Sequence, residues 1–259
     1  MDLDACLREL ERQDGSDLHL KVGRPPLFRI SSELLPTDAP ALTENDLKAT
    51  LYNIMNPRLI KQFEETCEAD FSYEIEGLAR FRVNVFVQRG HIGAVMRLIP
   101  IETATVESIG LPQVLNTIAD NENGLVLVTG PTGSGKSTTL AAMIEHINET
   151  RPVHIMTVED PIEFVYTDQQ ATINQRELGL DTGALENALR AVLRQDPDII
   201  LMGEMRDPVT IKFGLTAAET GHLVFATLHT NDAPQTIERI LDTMPPEARE
   251  LVRQQLALI

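Results

Sequence analysis

The chain has 259 residues, 42% of them hydrophobic and 24% charged, the proportions of an ordinary globular protein; at roughly 150 residues per domain it divides into one or two domains. Its 22 basic against 39 acidic residues give a net charge of −17, which argues against broad contact with nucleic acid because phosphate backbones demand a basic face. No window approaches the roughly 18 uncharged apolar residues of a bilayer span, and Met1-Asp2-Leu3-Asp4 lacks a basic-then-apolar signal, so a cytosolic chain with no direct membrane insertion is expected.

Leu3, Leu7 and Leu10 recur at helical spacing over residues 2–13, and Asp14-Gly15-Ser16 ends that helix. Residues 17–22 alternate as a strand, Arg24-Pro25-Pro26 turns the chain, and 27–30 form another strand. Thr43-x-x-Asp46 resembles a capping box for a helix through about Met55, and Pro57 opens the next, reaching about Cys67. Residues 70–75, 80–88 and 92–99 read as three more strands, so the amino-terminal part is a small α+β domain with helices on one side of an antiparallel sheet. Cys6 and Cys67 are too few for a disulfide framework or a C-x-x-C zinc site, and both read as plain buried thiols.

Arg89-Gly90 has the length of a two-residue hairpin turn. In that register Gln88 faces His91 and Arg82 faces Arg97, while Arg80 and Arg82 share a face. Like charges opposed across strands are destabilising unless neutralised, so the arginine cluster calls for an anion.

The boundaries drawn from this pattern are an amino-terminal domain over 1–100, a linker over 101–108 with little periodicity, and a second domain over 109–259. After a helix from Pro112 to about Asp120, strands and helices alternate: strand 125–129, helix to about Ile147, strand 154–159 and strand 171–174. Then come helix 184–194, strand 198–203, helix 209–219, strand 223–228, helix 234–244 and helix 246–259. Continuously apolar strands such as Ile199-Ile200-Leu201-Met202 suit a sheet buried on both faces, as in a doubly wound α/β nucleotide-binding core.

Gly130-Pro131-Thr132-Gly133-Ser134-Gly135-Lys136-Ser137 fits G-x-x-x-x-G-K-S/T between a strand and a helix, the context that this P-loop motif requires. Such a loop turns successive N–H groups onto a phosphate and adds the positive end of the helix dipole. Lys136 would meet the outer phosphates and the Ser137 hydroxyl would hold Mg²⁺, making ATP and Mg²⁺ the expected ligands. Glu204 follows the apolar strand 198–203 and emerges beyond its carboxyl end, where it would position Mg²⁺ or its water opposite Ser137. Glu159, Asp160 and Glu163 follow another core strand; one of them would orient the attacking water, and spacing leaves Glu159 and Glu163 open. His222 and His229 bracket one strand from opposite ends and faces, so they are not a metal pair; His229 would sense the γ-phosphate and His222 is structural. Arg239 lies on the following helix as a surface residue.

Taken together, Ser16-Asp17-Leu18-His19-Leu20, Gly130 to Thr138, Glu159 to Glu163, Gly203-Glu204-Met205-Arg206-Asp207 and Gly221-His222 through Leu228-His229-Thr230 resemble the secretion-ATPase superfamily, most closely its type IV pilus retraction motors. The resemblance implies a PAS-like amino-terminal domain and a RecA-like P-loop ATPase core. It also implies a homo-hexameric ring that holds ATP between domains and completes the site with arginines at domain and subunit boundaries. Carried onto this sequence, Glu163 becomes the preferred water-activating base and Glu204 the Mg²⁺-linked acid. Arg80, Arg82, Arg97 and Arg239 become candidate phosphate or interface groups. An inner-membrane pilus platform protein is the implied partner, and the cytoplasmic face of that membrane the implied location. Family members continue past residues 246–259, so a chain shortened at its carboxyl end is expected. The expected activity is ATP hydrolysis driving pilus retraction and twitching motility. The alternatives are a pilus-extension or type II secretion ATPase, a nonhydrolysing ring component, and, disfavoured by charge, a nucleic-acid translocase.

Overall fold

The computed structural model describes residues 1–99 and 104–259, so the first residues of the expected linker, 101–103, lie outside what is described. Contacts divide the chain into two compact units, Met1–Ile101 and Glu102–Ile259.

The first unit carries helices α1 (Leu3–Arg12), α2 (Glu44–Ile54) and α3 (Pro57–Thr66) and strands β1 (Asp17–Lys21), β2 (Leu27–Ile30), β3 (Glu33–Pro36), β4 (Glu68–Ile75), β5 (Ala79–Gln88) and β6 (His91–Ile99). The strands form one antiparallel sheet in the order β3-β2-β1-β6-β5-β4. Thr43 and Asp46 close the expected capping box on α2, and Asn56 with Pro57 starts α3. β3 escaped the sequence reading because all four of its residues are exposed on the sheet's edge, leaving no alternation to detect. Cys67 corrects a second expectation: it is exposed, in the left-handed conformation that ends α3, and only Cys6 is partly buried.

The β5–β6 hairpin has the expected register, with Gln88 opposite His91 and Arg82 opposite Arg97. Arg89 and Gly90 both have positive φ, 51° and 80°, the type I′ geometry whose twist matches the flanking strands. One side of the sheet buries Leu18, Leu20, Phe28, Phe71, Phe81, Val83, Val85 and Met96. The other carries a polar row, in which Arg29 and Arg97 flank Asp17 on either side and Arg82 lies beyond Arg97. The neutralising anions are internal: Asp17 is 2.9 Å from Arg97 and 3.8 Å from Arg29, Asp70 is 3.8 Å from Arg82, and Glu74 is 3.4 Å from Arg80. The opposed arginines therefore need no bound anion to coexist.

The second unit contains α4 (Val114–Ala119), β7 (Gly124–Thr129), α5 (Lys136–Thr150), β8 (His154–Glu159), β9 (Thr172–Glu177), α6 (Leu185–Val192), β10 (Ile199–Glu204), α7 (Pro208–Glu219), β11 (Leu223–Leu228), α8 (Ala233–Thr243) and α9 (Arg249–Leu256). The final expected helix is split, a 3₁₀ turn at Pro246–Ala248 preceding α9. β9 runs three residues past the expected Asn174, paired along β8; its second half, Gln175-Arg176-Glu177, is polar on an edge strand and carries no apolar signal.

All five strands are parallel, in the order β7-β11-β10-β8-β9. Alternate residues face opposite layers. Ile199, Leu201, Leu223 and Phe225 pack toward α5, while Ile200, Met202, Val224 and Ala226 pack toward the side bearing α6, α7, α8 and α9. A sheet covered on both faces is the reason these strands read as unbroken apolar runs. The chain thus has the expected mixed α/β architecture, an antiparallel α+β unit ahead of a helix-flanked parallel core.

Asp17 provides a test of the first unit. Burial opposes its ionisation, but bonds from Ser16 and Arg97 and the Arg97 charge outweigh burial and hold its pKa below the usual carboxylate value. Stability from the ionised form is therefore present above the unfolded pKa of about 3.9 and lost as pH falls through the lower folded value. Asp17→Ala should destabilise this unit by about 1–2 kcal/mol at neutral pH, since Arg97 is largely solvated. The difference from wild type should shrink in urea titrations below about pH 4.

Candidate active site

The loop between β7 and α5 is shaped by backbone that side chains would block. Gly130 has φ of 151°, and a Cβ there would lie 2.6 Å from Ser134 Oγ. Its N–H donates to the Leu228 carbonyl at 3.3 Å, tying the loop to the end of β11. Gly135, at φ 92°, is the N-cap of α5 and offers no side chain to its first turn. The amino end of a fifteen-residue helix therefore opens directly into the loop with its N–H groups uncapped by side chains. Lys136 Nζ bridges the carbonyls of Gly130 and Pro131, each at 3.0 Å. Pro131, Thr132, Gly133 and Ser134 are exposed, and Ser137 and Thr138 are half-buried in the first turn of α5. Backbone donors, a lysine and hydroxyls at a helix start together form an anion-binding cradle.

Parallel pairing puts the carboxyl ends of β7, β11, β10 and β8 on the same edge. Glu204 ends β10 and His229 follows β11; the sheet brings His229 Nε2 to 3.7 Å from Glu204 Oε1, an ion pair when the imidazole is protonated. Thr227 Oγ1 donates to the Gly203 carbonyl at 2.7 Å and Met205 N to the Thr227 carbonyl at 3.0 Å, fixing the chain on either side of Glu204 across a register shift. His222 lies at the other end of β11, 3.0 Å from the Ala217 carbonyl through Nδ1. The two histidines are separated as the spacing requires.

The acidic segment after β8 divides its carboxylates by environment. Glu163 is exposed, as is Asp160, which lies 3.9 Å from Arg206. Glu159 is buried at 9% exposure; its Oε1 accepts from Thr157 Oγ1 at 2.6 Å and from Gln175 Nε2 at 3.2 Å. Burial pushes its carboxyl up to about 7, against the hydrogen bonds of Thr157, Gln175 and the Glu163 backbone, which lower it. One carboxylate meets solvent and the other is held in the interior on the edge of neutrality.

A sequence model of the type II/IV secretion system protein family matches residues 74–259, which is most of the chain. The chain belongs to that family. It is 51% identical, over 99% of its own length and 75% of the relative's, to the type IV pilus retraction ATPase PilT of Pseudomonas aeruginosa. It is 48% identical, over 90% of its length and 62% of the relative's, to a twitching motility protein of Neisseria gonorrhoeae. Among solved structures, the crystal structure of the pilus retraction motor PilT with bound ADP superposes with a TM-score of 0.93 at 46% identity, covering 100% of this chain and 76% of that one.

In this secretion-system family member the remaining candidates lie on other elements. Arg80, Arg82 and Arg97 belong to the first unit, where each has a carboxylate partner, and Arg239 is exposed on α8. Sequence reasoning passed over Thr157, Gln175, Glu177 and Arg206. Gln175 and Glu177 sit in the polar half of β9, where no strand was expected. Their one available signal was a run of amide and acidic residues in a chain otherwise folding into a buried sheet.

The raised Glu159 pKa sets the sign of a pH effect. The folded state disfavours the ionised form, so stability falls as pH rises from the unfolded value of about 4.3 toward the folded value. Glu159→Gln removes that dependence. Its effect on Tm should be more favourable at pH 8 than at pH 5 by roughly 5 °C or more, as read by calorimetry of wild type and variant at both pH values.

Proposed function

We propose that this chain is a Mg²⁺-dependent ATP hydrolase and one subunit of a homo-hexameric motor that drives type IV pilus retraction and twitching motility. The observation carrying this reading is the near full-length similarity to a named pilus retraction ATPase, joined to a phosphate cradle built from this chain's own loop. The same reading makes the first unit a sensing or clamping domain and the second the ATPase domain. It places the motor at the cytoplasmic face of the inner membrane, beside a pilus platform protein and without nucleic acid.

The donor set suits the metal: Ser137 at the start of α5 and Glu204 at the end of β10 offer hard oxygen atoms, which Mg²⁺ takes together with water and phosphate oxygens. When bound, Mg²⁺ supplies neutralisation of phosphate charge. The chain's residues do the rest. Loop N–H groups from Gly133 to Thr138 and the α5 dipole hold the phosphates, and Lys136 turns its charge from the Gly130 and Pro131 carbonyls to the outer ones. Glu163, exposed and solvated, takes a proton from the attacking water as oxygen bonds to the γ-phosphorus and the bridging bond to ADP breaks. Glu159 anchors the Glu163 backbone from the interior. His229, beside Glu204, reads the presence of the γ-phosphate and passes it to the start of α8 through the neighbouring Thr230, whose hydroxyl is 2.6 Å from Thr236. Arg80, Arg82, Arg97 and Arg239 are the candidate phosphate or subunit-boundary arginines; each of the first three would exchange its internal carboxylate for that contact.

Lys136→Ala should lower phosphate release under saturating Mg·ATP by at least about a hundredfold, and turnover at the wild-type rate would discard the reading. Arg82→Ala should slow turnover about tenfold with an unchanged unfolding midpoint. If the rate is unaffected, Arg82 is only a partner for Asp70. Sizing of the protein with and without ATP checks the ring: a hexamer is expected with nucleotide, and a monomer at all concentrations would remove the motor from the proposal.

A further inference from the structure

The segment that carries Glu163 is held by one side chain from the neighbouring edge strand. Gln175 Nε2 donates to Glu159 Oε1 at 3.2 Å and to the Phe164 carbonyl at 2.8 Å, while its Oε1 accepts from Tyr166 N at 3.0 Å. These partners lie on both sides of Glu163 in the chain, so a single primary amide spans the turn that presents it. The Glu163 backbone N–H in turn bonds Glu159. Glu177, two residues further along β9 on the same face, accepts from Ile162 N at 3.1 Å. The far end of the same connection is fixed to α5: Asn148, fully buried, donates to the Thr167 carbonyl at 2.9 Å and accepts from Gln169 N at 3.1 Å. Glu145 accepts from Gln169 Nε2 at 2.6 Å. The exposed carboxylate is thus mounted on a rigid base, although the segment itself has no helix or strand between Glu159 and Thr172.

We propose that Gln175 is a positioning residue for ATP hydrolysis, fixing the backbone around Glu163 so that its carboxylate meets the attacking water. The proposal rests on the reading of Glu163 as the water-activating base. Gln175 acts through the groups it holds, the Glu159 carboxyl and the backbone of Phe164 and Tyr166. Its amide has both a donor and an acceptor in use, which a carboxylate or a thioether of the same length does not reproduce. Side chains that lock a functional group from behind act on the geometry of the reacting state more than on ground-state binding.

The experiment compares steady-state ATPase kinetics of the full chain for wild type, Gln175→Met, Gln175→Glu, Glu163→Gln and the double variant Glu163→Gln/Gln175→Met. Gln175→Met keeps the length and deletes all three bonds; Gln175→Glu keeps the acceptor for Tyr166 N, and serves if the methionine variant does not fold. Either should lower kcat by about tenfold or more while KM for ATP stays within about twofold, because the P-loop is untouched. In the Glu163→Gln background the second substitution should produce little further loss, since what it positions is already disabled. A kcat within twofold of wild type for a folded Gln175 variant overturns the proposal. So does a loss as large in the Glu163→Gln background as in wild type, which would mark Gln175 as merely structural. If Glu163→Gln alone leaves kcat unchanged, the base assignment falls and this proposal with it. If that variant is inactive and the Gln175 variants are not, this proposal falls alone.

Discussion

The site depends on the parallel pairing of β7, β11, β10 and β8. Parallel strands all exit at one edge, so the loop after each strand arrives in the same place whatever its position in the chain. That geometry sets the P-loop after β7, Glu204 at the end of β10, His229 after β11 and Glu159 at the end of β8 along a common edge. The pairing is secured by layers on both sides of the sheet. Fully buried Phe225, Ile199 and Leu223 on one face and Ile200 and Val224 on the other each contribute on the order of 2 kcal/mol of burial. A one-residue slip in any strand would exchange these layers and carry the candidate-site loops with it.

Polar groups inside such a core are admitted only with partners. Glu159, Glu145 and Asn148 are buried and each is hydrogen-bonded, and together they tether the connection between β8 and β9 at both of its ends. The consequence for Glu159 is a carboxyl raised to about 7. Two neighbouring carboxylates thereby acquire different characters from environment alone, the interior one bonding backbone and the exterior one available to solvent.

The first unit solves a different problem. Its antiparallel sheet is apolar on one face, and on the other it concentrates arginines in a chain that is strongly acidic overall. Asp17, nearly buried between Arg29 and Arg97, accounts for the conspicuous aspartate in Ser16-Asp17-Leu18-His19-Leu20 as an electrostatic keystone of the row. Arg82, half-exposed and 3.8 Å from the exposed Asp70, can exchange partners at little cost, because solvated ion pairs contribute only about 0–1 kcal/mol.

The amino-acid sequence by itself determined the elements whose signals are local. Apolar periodicity marked the helices and core strands, the capping box at Thr43 and Asp46 started α2, Arg89-Gly90 set the hairpin register, and the glycines from Gly130 to Gly135 declared the phosphate loop. It did not disclose β3 or the second half of β9, because edge strands need no buried alternation. It also took Cys67 for a buried thiol where it is an exposed helix end, because burial of a helix terminus depends on what packs against it. Between Glu159 and Glu163 spacing was silent, since Glu159 ends the strand that Glu163 follows; burial, a property of the folded core, gives them different surroundings. The meeting of Glu204 with His229 and the triple bond of Gln175 to Glu159, Phe164 and Tyr166 were decided only by tertiary structure, because strand order and sheet register bring these groups together and neither is written in any short stretch of chain.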